Sequence, residues 1–288
     1  MIVGLSVNPH RDEGFEVLKE TVRILDSHGI RCLTAQAEVP SQSGLDAVLK
    51  VGSWGDCDLV ISIGGDGSFL TAVQSVYEHD VPLIGINRGG LGFMNEIQVP
   101  DLETDLNQLI RGDYKEVTRM MLEVRCLDST GRERMSVYGL NDAVLSRGGH
   151  TRIVPVRLYL DDEYIETIPA DGMIVASPVG STGYSLAAGG VIVDPELQVL
   201  QITPICPHTL HNRSYILPPD CKVSLSIDDG YPFKPLLSVD GRSDVYMDPG
   251  DRAEVRQAAK PMRLLQLHHE SFFKKLPAKM NARGGYRA

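Results

Sequence analysis

The sequence predicts an α/β domain built on a parallel sheet, followed by a second domain of mostly antiparallel β-structure. Up to Lys115, apolar strand-like runs alternate with helix-like segments, which is typical of a parallel sheet with helices on both faces. After Glu116, strand-like runs follow one another with few helical periods, separated by turn signals such as Ser129-Thr130-Gly131. This second pattern favours antiparallel strands. The predicted fold class is therefore α/β plus all-β.

The elements of the first domain are predicted from their apolar spacing and their end signals. Residues 2–7 form an apolar, largely β-branched run, which is the pattern of a buried strand. From Glu13 to His28 the apolar residues recur at close to helical spacing, and Gly29 is a natural stop. The other predicted elements are strands at 31–35, 59–63 and 81–86, and helices at 44–51, from 68 onward and at 101–111.

The strands of the second domain are predicted as apolar runs bounded by turn residues. They are placed at 117–128, 136–146, 153–160, 173–176, 222–227 and 236–239. Near the end of the chain, a strand is predicted at 262–267 and a short helix at 271–276. We therefore divide the chain into 1–115, 116–262 and 263–288, and expect the last segment to pack back on the N-terminal domain.

Composition and charge argue against several classes of protein. The formal net charge of −10 disfavours a nucleic-acid binder, because such a protein usually carries a basic face. No apolar run approaches the roughly 18 residues expected of a membrane-spanning helix, and the N-terminus resembles a strand more than a secretion signal. The five cysteines are scattered and odd in number, unlike a disulfide framework or a zinc site. A reducing cytoplasm is the expected location.

A glycine-rich turn with an acidic residue follows the predicted strand at 59–63. Gly64, Gly65 and Gly67 surround Asp66 where the next helix begins. Such turns hold phosphates, because bare backbone N–H groups and the helix N-terminus attract anions. A carboxylate repels the same anions and so needs another explanation. It could take a proton from an attacking hydroxyl, ligate Mg²⁺, or shape the turn and cap the helix.

A second glycine-rich loop follows the next predicted strand. Residues 85–97 read GINRGGLGFMNEI. Because both loops follow strands of a parallel sheet, they are expected at the same edge, the carboxyl ends of the strands, where ligands of such sheets bind. Two adjacent loops of this kind suit a polyphosphate. The sequence contains no G-x-x-x-x-G-K-[ST], and no G-x-G-x-x-G at a strand-to-helix junction. A P-loop enzyme and a hydride-transferring dehydrogenase are therefore disfavoured.

Four motifs, in chain order, resemble those of the NAD kinase family. They are GGDG at 64–67, N-x-G-x-L-G-F at 87–93, Asn141-Asp142, and DGMIVASPVGSTGYSLAAGG at 171–190. GGDG is only moderately specific, because it also occurs in lipid kinases and, in a related form, in phosphofructokinases. The last motif is highly specific. The resemblance implies an N-terminal parallel-sheet α/β domain and a C-terminal β-sandwich-like domain, assembled as a homotetramer or a homodimer.

The resemblance also implies a reaction and its substrates. The family transfers the γ-phosphoryl group of ATP to the 2′-hydroxyl of the adenosine ribose of NAD, which gives NADP. The cofactor is Mg²⁺ or another divalent metal, and the partners are NAD and ATP, without nucleic acid or membrane. The choice of phosphoryl donor, the use of NADH, feedback by NADPH and the metal ligands stay open.

Residue roles follow from the resemblance, position by position. Asp66 matches the catalytic aspartate, which takes the proton of the ribose 2′-hydroxyl. The positions matched to substrate and nucleotide binding are Gly65, Gly67, Asn87, Phe93, Asn141, Asp142, Arg152, Asp171, Thr182, Gly183, Tyr184 and Ser185. The sequence departs from the family pattern with Asp142 in place of a more frequent Glu, Gly183 in place of Ala, and Ala187 in place of Ser. The last departure removes a hydroxyl donor, so that contact is not carried over.

Simpler roles stay open at several of these positions. Asn141-Asp142 could be a polar pair at a strand bulge. Arg152 could be an ordinary surface arginine, and Tyr184 could pack against the protein instead of stacking on a base.

Two other functions stay open as alternatives: a GGDG-type kinase of another alcohol such as a lipid, and a non-catalytic NAD(P)-binding sensor. The GSTGY block argues against the first. Asp66 argues against the second, because a protein that only binds gains little from that carboxylate. His208 and His211 invite a metal interpretation, but Pro204 and Pro207 oppose a helix there, and we expect both histidines to be structural.

Overall fold

The computed structural model describes residues 1–89, 92–149, 152–209, 213–228, 230–268 and 271–283. The chain forms two compact units. The first combines Met1–Thr118 with the C-terminal segment that begins at Met262, and the second is Arg119–Pro261. Each unit has its own hydrophobic core. The predicted fold class is confirmed, because the first unit is α/β and the sheets of the second are antiparallel.

The N-terminal part of the first unit alternates strands and helices. Its strands are β1 (Ile2–Val7), β2 (Arg31–Thr34), β3 (Leu49–Val51), β4 (Leu59–Gly64), β5 (Leu83–Asn87), β6 (Ile97–Gln98) and β7 (Lys115–Arg119). Its helices are α1 (Glu16–Ser27), α2 (Val39–Ser43), α3 (Asp66–Val76) and α4 (Leu102–Ile110). Strands β1 to β6 pair in parallel, as the alternating sequence pattern predicts.

Strands β4 and β5 position the first candidate site. Both are buried along their whole length, which explains their continuous apolar sequence, since helices cover both faces of such a sheet. Ile61 and Ile84 belong to a core that also contains Leu18 of α1 and Leu106 of α4. The two strands are in register up to their last residues, so the loops that follow them start side by side.

The helix predicted at 44–51 is wrong. The helix lies earlier, as α2, and residues 49–51 form strand β3, which pairs with β2. Pro40 falls in the first turn of α2, where its missing N–H costs nothing. Gly44 ends the helix with a φ of 75°, a conformation that glycine adopts without strain. Gly44 therefore stops one helix and does not start another.

The second unit is a sandwich of two six-stranded antiparallel sheets. Its strands are β8 (Leu122–Leu127), β9 (Glu133–Gly139), β10 (Asp142–Ser146), β11 (Val154–Leu160), β12 (Glu163–Ala170), β13 (Gly172–Ala176), β14 (Leu200–Ile205), β15 (Tyr215–Leu217), β16 (Val223–Ile227), β17 (Leu236–Val239), β18 (Ser243–Tyr246) and β19 (Arg252–Gln257), and its short helix is α5 (Tyr184–Ala187). One sheet has the order β15-β14-β13-β10-β17-β18, and the other β12-β11-β16-β19-β8-β9. Leu145 and Met173 of the first sheet share a buried core with Val124 and Leu225 of the second, as packed sheets do.

The two predicted strands 117–128 and 136–146 are each split, because the chain changes sheet within them. Strand β7 belongs to the sheet of the first unit and β8 to the second unit, while β9 and β10 lie in different sheets of the sandwich. Met120, Met121 and Leu140 at these crossings are buried, so the apolar pattern continues through both breaks. Strands β12, β14, β15, β18 and β19 are absent from the prediction.

The C-terminal segment returns to the first sheet. Strand β20 (Met262–Gln266) pairs in parallel with β5 through Leu264 and Leu83. It stands between β5 and β7 in the order β3-β2-β1-β4-β5-β20-β7, and β6 also pairs with β5. Helix α6 (Phe272–Arg283) follows and is longer than the predicted helix. None of the helices within the described residues is both long and apolar enough to cross a membrane.

Candidate functional site

The glycine-aspartate turn joins β4 to α3 in a conformation that requires glycine. Gly64 has a φ of 155°, and a Cβ there would overlap the side chain of Ser68. Gly65 is the N-cap of α3, and its carbonyl accepts the N–H groups of Ser68 and Phe69, both at 3.0 Å. Asp66 is consequently the first residue of the helix, where the macrodipole favours a negative charge.

The second glycine-rich loop starts beside the first turn. Gly64 and Asn87 pair in register, and the N–H of Arg88 donates to the carbonyl of Gly64 at 2.8 Å. Asn87 is buried, and its Nδ2 donates to Oε1 of Gln98 at 3.0 Å. The predicted neighbourhood of the two loops is therefore present. Gly90 and Leu91 of the same motif lie outside the described residues.

The Asp66 carboxylate connects the two loops. Its Oδ2 accepts the backbone N–H of Phe93 at 3.1 Å, and its Oδ1 accepts the N–H of Met94 at 3.4 Å and Nδ2 of Asn95 at 3.3 Å. A Cβ at Gly92 would overlap this carboxylate. The carboxylate is thus held by backbone and amide donors that come from a loop almost thirty residues further along the chain.

Two residues of this cluster are missing from the sequence prediction. Asn95 is buried between Asp66 and β5, and a side chain at Gly85 would overlap its carboxamide. A glycine inside a buried strand is a signal for such close approach. Asn8 follows β1 and donates through Nδ2 to Oγ of Ser68 at 3.0 Å. Its signal is its place at the carboxyl end of a third parallel strand.

In the second unit, Asn141 and Asp142 lie at the start of β10. Asp142 is only 6% exposed. Burial, together with the nearby charge of Asp240, raises the pKa of Asp142 to about 7. Oδ1 of Asn141 is buried without a hydrogen-bond partner, which is unusual for a polar atom in a native protein. The pair therefore has unused hydrogen-bonding capacity that suits a polar ligand.

Asp240 is absent from the sequence prediction and contacts this pair directly. Its carboxylate accepts the backbone N–H groups of Leu140, Asn141 and Asp142 at 2.8, 2.8 and 3.1 Å. Burial raises the pKa of Asp240, and the three amides oppose that shift. The only local signal is the Asp-Gly turn after the strand at 236–239. That signal predicts a turn but not a contact with residues about a hundred positions earlier.

The GSTGY turn packs against the same pair. It forms a 3-10 helix at Val179–Thr182 followed by α5. Gly180 lies against the backbone of Asn141 with no room for a Cβ, and a Cβ at Gly183 would lie 3.7 Å from Nδ2 of Asn141 and 3.8 Å from Oδ2 of Asp142. Gly180 therefore lets the turn approach the Asn-Asp pair closely, whereas the distances from a Cβ at Gly183 to that pair are those of ordinary contact.

The side chains of this turn point to different surroundings. Thr182 is buried, and its hydroxyl donates to the carbonyl of Val179 at 3.2 Å, whereas Tyr184 is 48% exposed. Ser185 is fully buried, with its Oγ 3.0 Å from Oγ1 of Thr203, and so supports the turn from the protein side. The nucleotide contacts assigned to these residues stay predictions.

Arg152 and Asp171 have partners of their own. The guanidinium of Arg152 lies 5.7 Å from the ring centroid of Phe233, and the carboxylate of Asp171 is paired with Nη1 of Arg147 at 2.8 Å. Asp171 precedes β13, whose opposite end pairs with Asp142. Five strand residues span roughly 17 Å, so one chemical group of a ligand cannot touch Asp171 and Asp142 of the same chain.

The two histidines that invite a metal interpretation are only partly described. The N–H of His208 donates to the carbonyl of Pro169 at 2.8 Å after the end of β14, and His211 lies outside the described residues. Within the described residues, no group of three or more His, Cys, Asp or Glu side chains could hold a metal ion.

The fold and these two clusters define a class of protein, a nucleotide-binding protein. The first unit carries two adjoining glycine-rich loops at the carboxyl edge of a parallel sheet, the usual place for a phosphate-bearing ligand. The second unit carries a buried acidic pair beside a glycine-rich turn.

Comparison with known proteins identifies the family. The ATP-NAD kinase N-terminal domain matches residues 3–114, and the ATP-NAD kinase C-terminal domain matches residues 140–267. The NAD kinase of Heliobacterium modesticaldum is 38% identical over 284 residues, which cover 96% of this chain and 98% of that protein. The NAD kinase of Ruminiclostridium cellulolyticum is 32% identical over 286 residues, 98% of each chain. The chain belongs to the ATP-NAD kinase family.

Solved structures agree with this assignment. The crystal structure of yeast NADH kinase complexed with NADH is similar with a TM-score of 0.87 and 25% identity, and it covers 100% of this chain and 89% of that one. An NAD kinase from Archaeoglobus fulgidus has the same fold, with a TM-score of 0.73 and 23% identity over 98% of this chain and 99% of that one.

Proposed function

We propose that this chain is an NAD kinase, which transfers the γ-phosphoryl group of ATP to the 2′-hydroxyl of the adenosine ribose of NAD. The family membership over nearly the whole chain supports the substrates. The observation that carries the chemistry is the Asp66 carboxylate, held at the sheet edge by donors from the neighbouring glycine-rich loop. A carboxylate at a phosphate-binding turn is explained if it faces an alcohol.

In the proposed reaction, Asp66 acts as the general base. Its carboxylate takes the proton of the ribose 2′-hydroxyl while that oxygen attacks the γ-phosphorus, and the bond from the γ-phosphorus to the β,γ-bridging oxygen breaks. The products are NADP and ADP. The bonds from Phe93, Met94 and Asn95 to Asp66 are 3.1 to 3.4 Å long, longer than the ~2.9 Å optimum. A shorter bond from an alcohol can therefore compete with them.

The backbone of the turn at 64–67 and the polar side chains of Asn141 and Asp142 have different roles in the proposed reaction. Gly65 and Gly67 let backbone N–H groups and the N-terminus of α3 come close to the phosphates. These groups attract the negative charge of the phosphates. Asn141 and Asp142 accept hydrogen bonds from the ribose diol or the adenine amino group. The resemblance also supports proposed binding roles for the other matched residues, which are Asn87, Phe93, Arg152, Asp171, Thr182, Gly183, Tyr184 and Ser185.

A divalent metal is part of the proposal, but the described residues do not form a resident metal centre. No group of three or more of their His, Cys, Asp or Glu side chains could hold a metal ion. The carboxylate oxygens of Asp66 already accept donors from the loop. The ion is therefore proposed to enter as the complex of Mg²⁺ with ATP, whose phosphate oxygens and waters supply most ligands.

The test of the proposed function is a coupled assay. The protein is incubated with ATP, Mg²⁺ and NAD, and NADP is measured with an NADP-specific dehydrogenase. Parallel reactions contain NADH in place of NAD, polyphosphate in place of ATP, or a lipid alcohol in place of the dinucleotide. NADP formation from NAD is expected. Folded protein that phosphorylates only the lipid alcohol, or that binds NAD without turnover, would remove the proposal.

We also propose an assembly and a location. The family resemblance supports a homotetramer or homodimer, in which Asp171 of one copy contacts a ligand held by Asp142 of another, given the separation of the two residues within one chain. Light scattering should then give at least twice the 31.6 kDa mass of one chain, and a monomer would contradict this. All five cysteines are free thiols, which supports a reducing cytoplasm.

A further inference from the structure

Asp240 occupies a turn whose geometry already favours aspartate. The turn joins β17 to β18, and the N–H of Arg242 donates to the carbonyl of Val239 at 3.0 Å. Asp240 and Gly241 have φ values of 51° and 66°. Two central residues with positive φ are characteristic of type I′ turns, in which Asp-Gly is a preferred pair. Turn chemistry alone would therefore account for the residue, but not for what its side chain contacts.

The contacts of the Asp240 carboxylate go beyond the turn. An aspartate that serves its own turn bonds a backbone group about two residues away. Here Oδ2 accepts the N–H of Leu140, and Oδ1 accepts the N–H groups of Asn141 and Asp142, which are 98 to 100 positions away in the sequence. Three converging amides favour the ionised form of a carboxylate, and they oppose the rise that burial causes in the pKa of Asp240. Only Asp240 of the Asp142–Asp240 pair accepts these three amides, and we therefore assign the negative charge of the pair to Asp240.

The same backbone is restrained from its other side by Ser177. The N–H of Ser177 donates to the carbonyl of Asn141 at 2.9 Å, and its hydroxyl donates to the carbonyl of Leu140. With Asp240 on the N–H side and Ser177 on the C=O side, these peptide units have little freedom. The Asn141 side chain nevertheless keeps a buried Oδ1 without a partner. A restrained backbone that carries an unsatisfied acceptor is the expected arrangement of a pre-organised binding group.

We infer that Asp240 is a positioning residue for NAD: its carboxylate fixes the backbone of residues 140–142 so that Asn141 and Asp142 meet the dinucleotide in one geometry. The inference rests on the proposed function, because it takes NAD as the ligand of this pair. Asp240 itself touches no substrate in this account.

The charge of Asp240 also acts on Asp142, and this gives the inference a distinct readout. Burial and then the charge of Asp240 raise the pKa of Asp142 to about 7. Burial raises the pKa of Asp240; the three amides oppose this rise, and so, to a smaller extent, does the charge of Arg242 in the same turn. The facing 3-10 helix at Val179–Thr182 has no titratable side chain. Because ribose hydroxyls donate to ionised Asp142, the affinity for NAD should rise with pH through a midpoint near this value.

The decisive experiment compares Asp240→Asn with the wild-type protein. Asparagine keeps one acceptor oxygen but places an NH₂ group against an amide N–H and removes the charge. We expect Kd and KM for NAD to rise about tenfold, the scale of one lost charged hydrogen bond, with kcat less affected. The midpoint of the pH dependence of Kd should move to lower pH, because the charge that raises the pKa of Asp142 is gone. Isothermal titration calorimetry from pH 6 to 8.5 measures both.

Asp251→Asn is the matched control. Asp251 is also a buried carboxylate of the second unit, which accepts Arg134 and the N–H of Asp248. This variant should lose stability without a change in Kd or in the midpoint. If Asp240→Asn does not fold, Ser177→Ala weakens the restraint on the other side: it removes the hydroxyl contact with the carbonyl of Leu140 and keeps the N–H bond to Asn141. It should raise Kd several-fold while leaving the midpoint in place.

The outcomes separate the inference from the proposed function. Asp240→Asn with unchanged Kd, or with weaker binding but an unmoved midpoint, would overturn the inference, as would Ser177→Ala with unchanged Kd. Wild-type protein that neither binds NAD nor makes NADP would instead remove the proposed function.

Discussion

The two glycine-rich loops around Asp66 and the residues around Asp142 both hold an acidic side chain in place, but they do so in different ways. In both, an aspartate accepts backbone N–H groups from a segment distant in the sequence. In the first unit, the restrained carboxylate is that of Asp66, the proposed general base. In the second, the restrained carboxylate belongs to Asp240, which holds the backbone of another acidic residue, Asp142, the proposed binding residue. The same kind of contact can therefore position an acid directly or through a second acidic residue.

The largest effect is expected from substitution of Asp66, the proposed general base. Asp66→Asn should lower kcat by a factor of about 10² or more, the scale for loss of a positioned general base, while NAD still binds. Steady-state kinetics and calorimetry measure the two quantities. Asp26→Asn, an exposed carboxylate on α1, is the control and should leave both unchanged. A kcat of Asp66→Asn equal to that of the wild type would show that Asp66 shapes the turn and is not the general base.

The loop that holds Asp66 offers a matched pair of glycines. A Cβ at Gly92 would overlap the Asp66 carboxylate, whereas one at Gly89 would meet nothing within 4 Å. Gly92→Ala should therefore displace the carboxylate and lower kcat about tenfold or more, since small misplacements of catalytic groups are costly. Gly89→Ala should have little effect. Similar kcat values for the two variants would show that the position of this loop does not matter for turnover.

The region around Asp142 should make the free energy of unfolding depend on pH. The pKa of Asp142 is raised from 3.8 to about 7 by burial and the charge of Asp240. Its proton is then bound more tightly in the folded than in the unfolded protein. The free energy of unfolding should consequently fall as pH rises through this window, by at most about 1.4 kcal/mol per pH unit.

Asp142→Asn should flatten that slope, because the substituted amide does not titrate. Urea denaturation at pH 5, 6, 7 and 8 measures it, with the exposed Asp220→Asn as the control. A slope that survives in Asp142→Asn would assign the pH dependence to other groups.

The smallest effect is expected where the sequence departs from its family. Gly183→Ala restores the more usual residue. The added Cβ would lie 3.2 Å from the carbonyl of Gly180 and at ordinary contact distances from Asn141 and Asp142. KM for NAD should therefore stay within about twofold of the wild type, the scale of a mild substitution. A tenfold increase would mean that the turn approaches its ligand more closely than these distances indicate.

The comparison also shows what the sequence could predict. The turn that carries Asp66 is local, since strand, glycines and helix follow one another in 64–76, and all its signals are in one stretch. The partners of Asp66 and Asp142 are not local. Asn95 reaches Asp66 only because β4 and β5 are neighbours, and Asp240 reaches Asn141 only because β10 and β17 pair. No pattern of residue types within one window encodes such a contact.

The errors in the predicted secondary structure also arise from features that are not local in the sequence. Periodicity predicted the long, strongly patterned elements such as β1, β4 and α1, but it joined β7 to β8 and β9 to β10. Buried apolar residues continue through those crossings, and only the sheet to which each strand belongs reveals the break. The misplaced helix at 44–51 came from a glycine whose role, ending a helix or starting one, depends on which flanking residues are helical.

The position of β20 has a consequence for how the protein is made. This strand is supplied by residues 262–266 yet stands inside the sheet begun by the first residues of the chain. A ribosome releases the chain from its N-terminus, and domains tend to fold as they emerge. The uninterrupted sandwich can assemble as soon as Pro261 has appeared. The opening α/β sheet gains the strand between β5 and β7 only after residues 262–266 have also emerged from the ribosome.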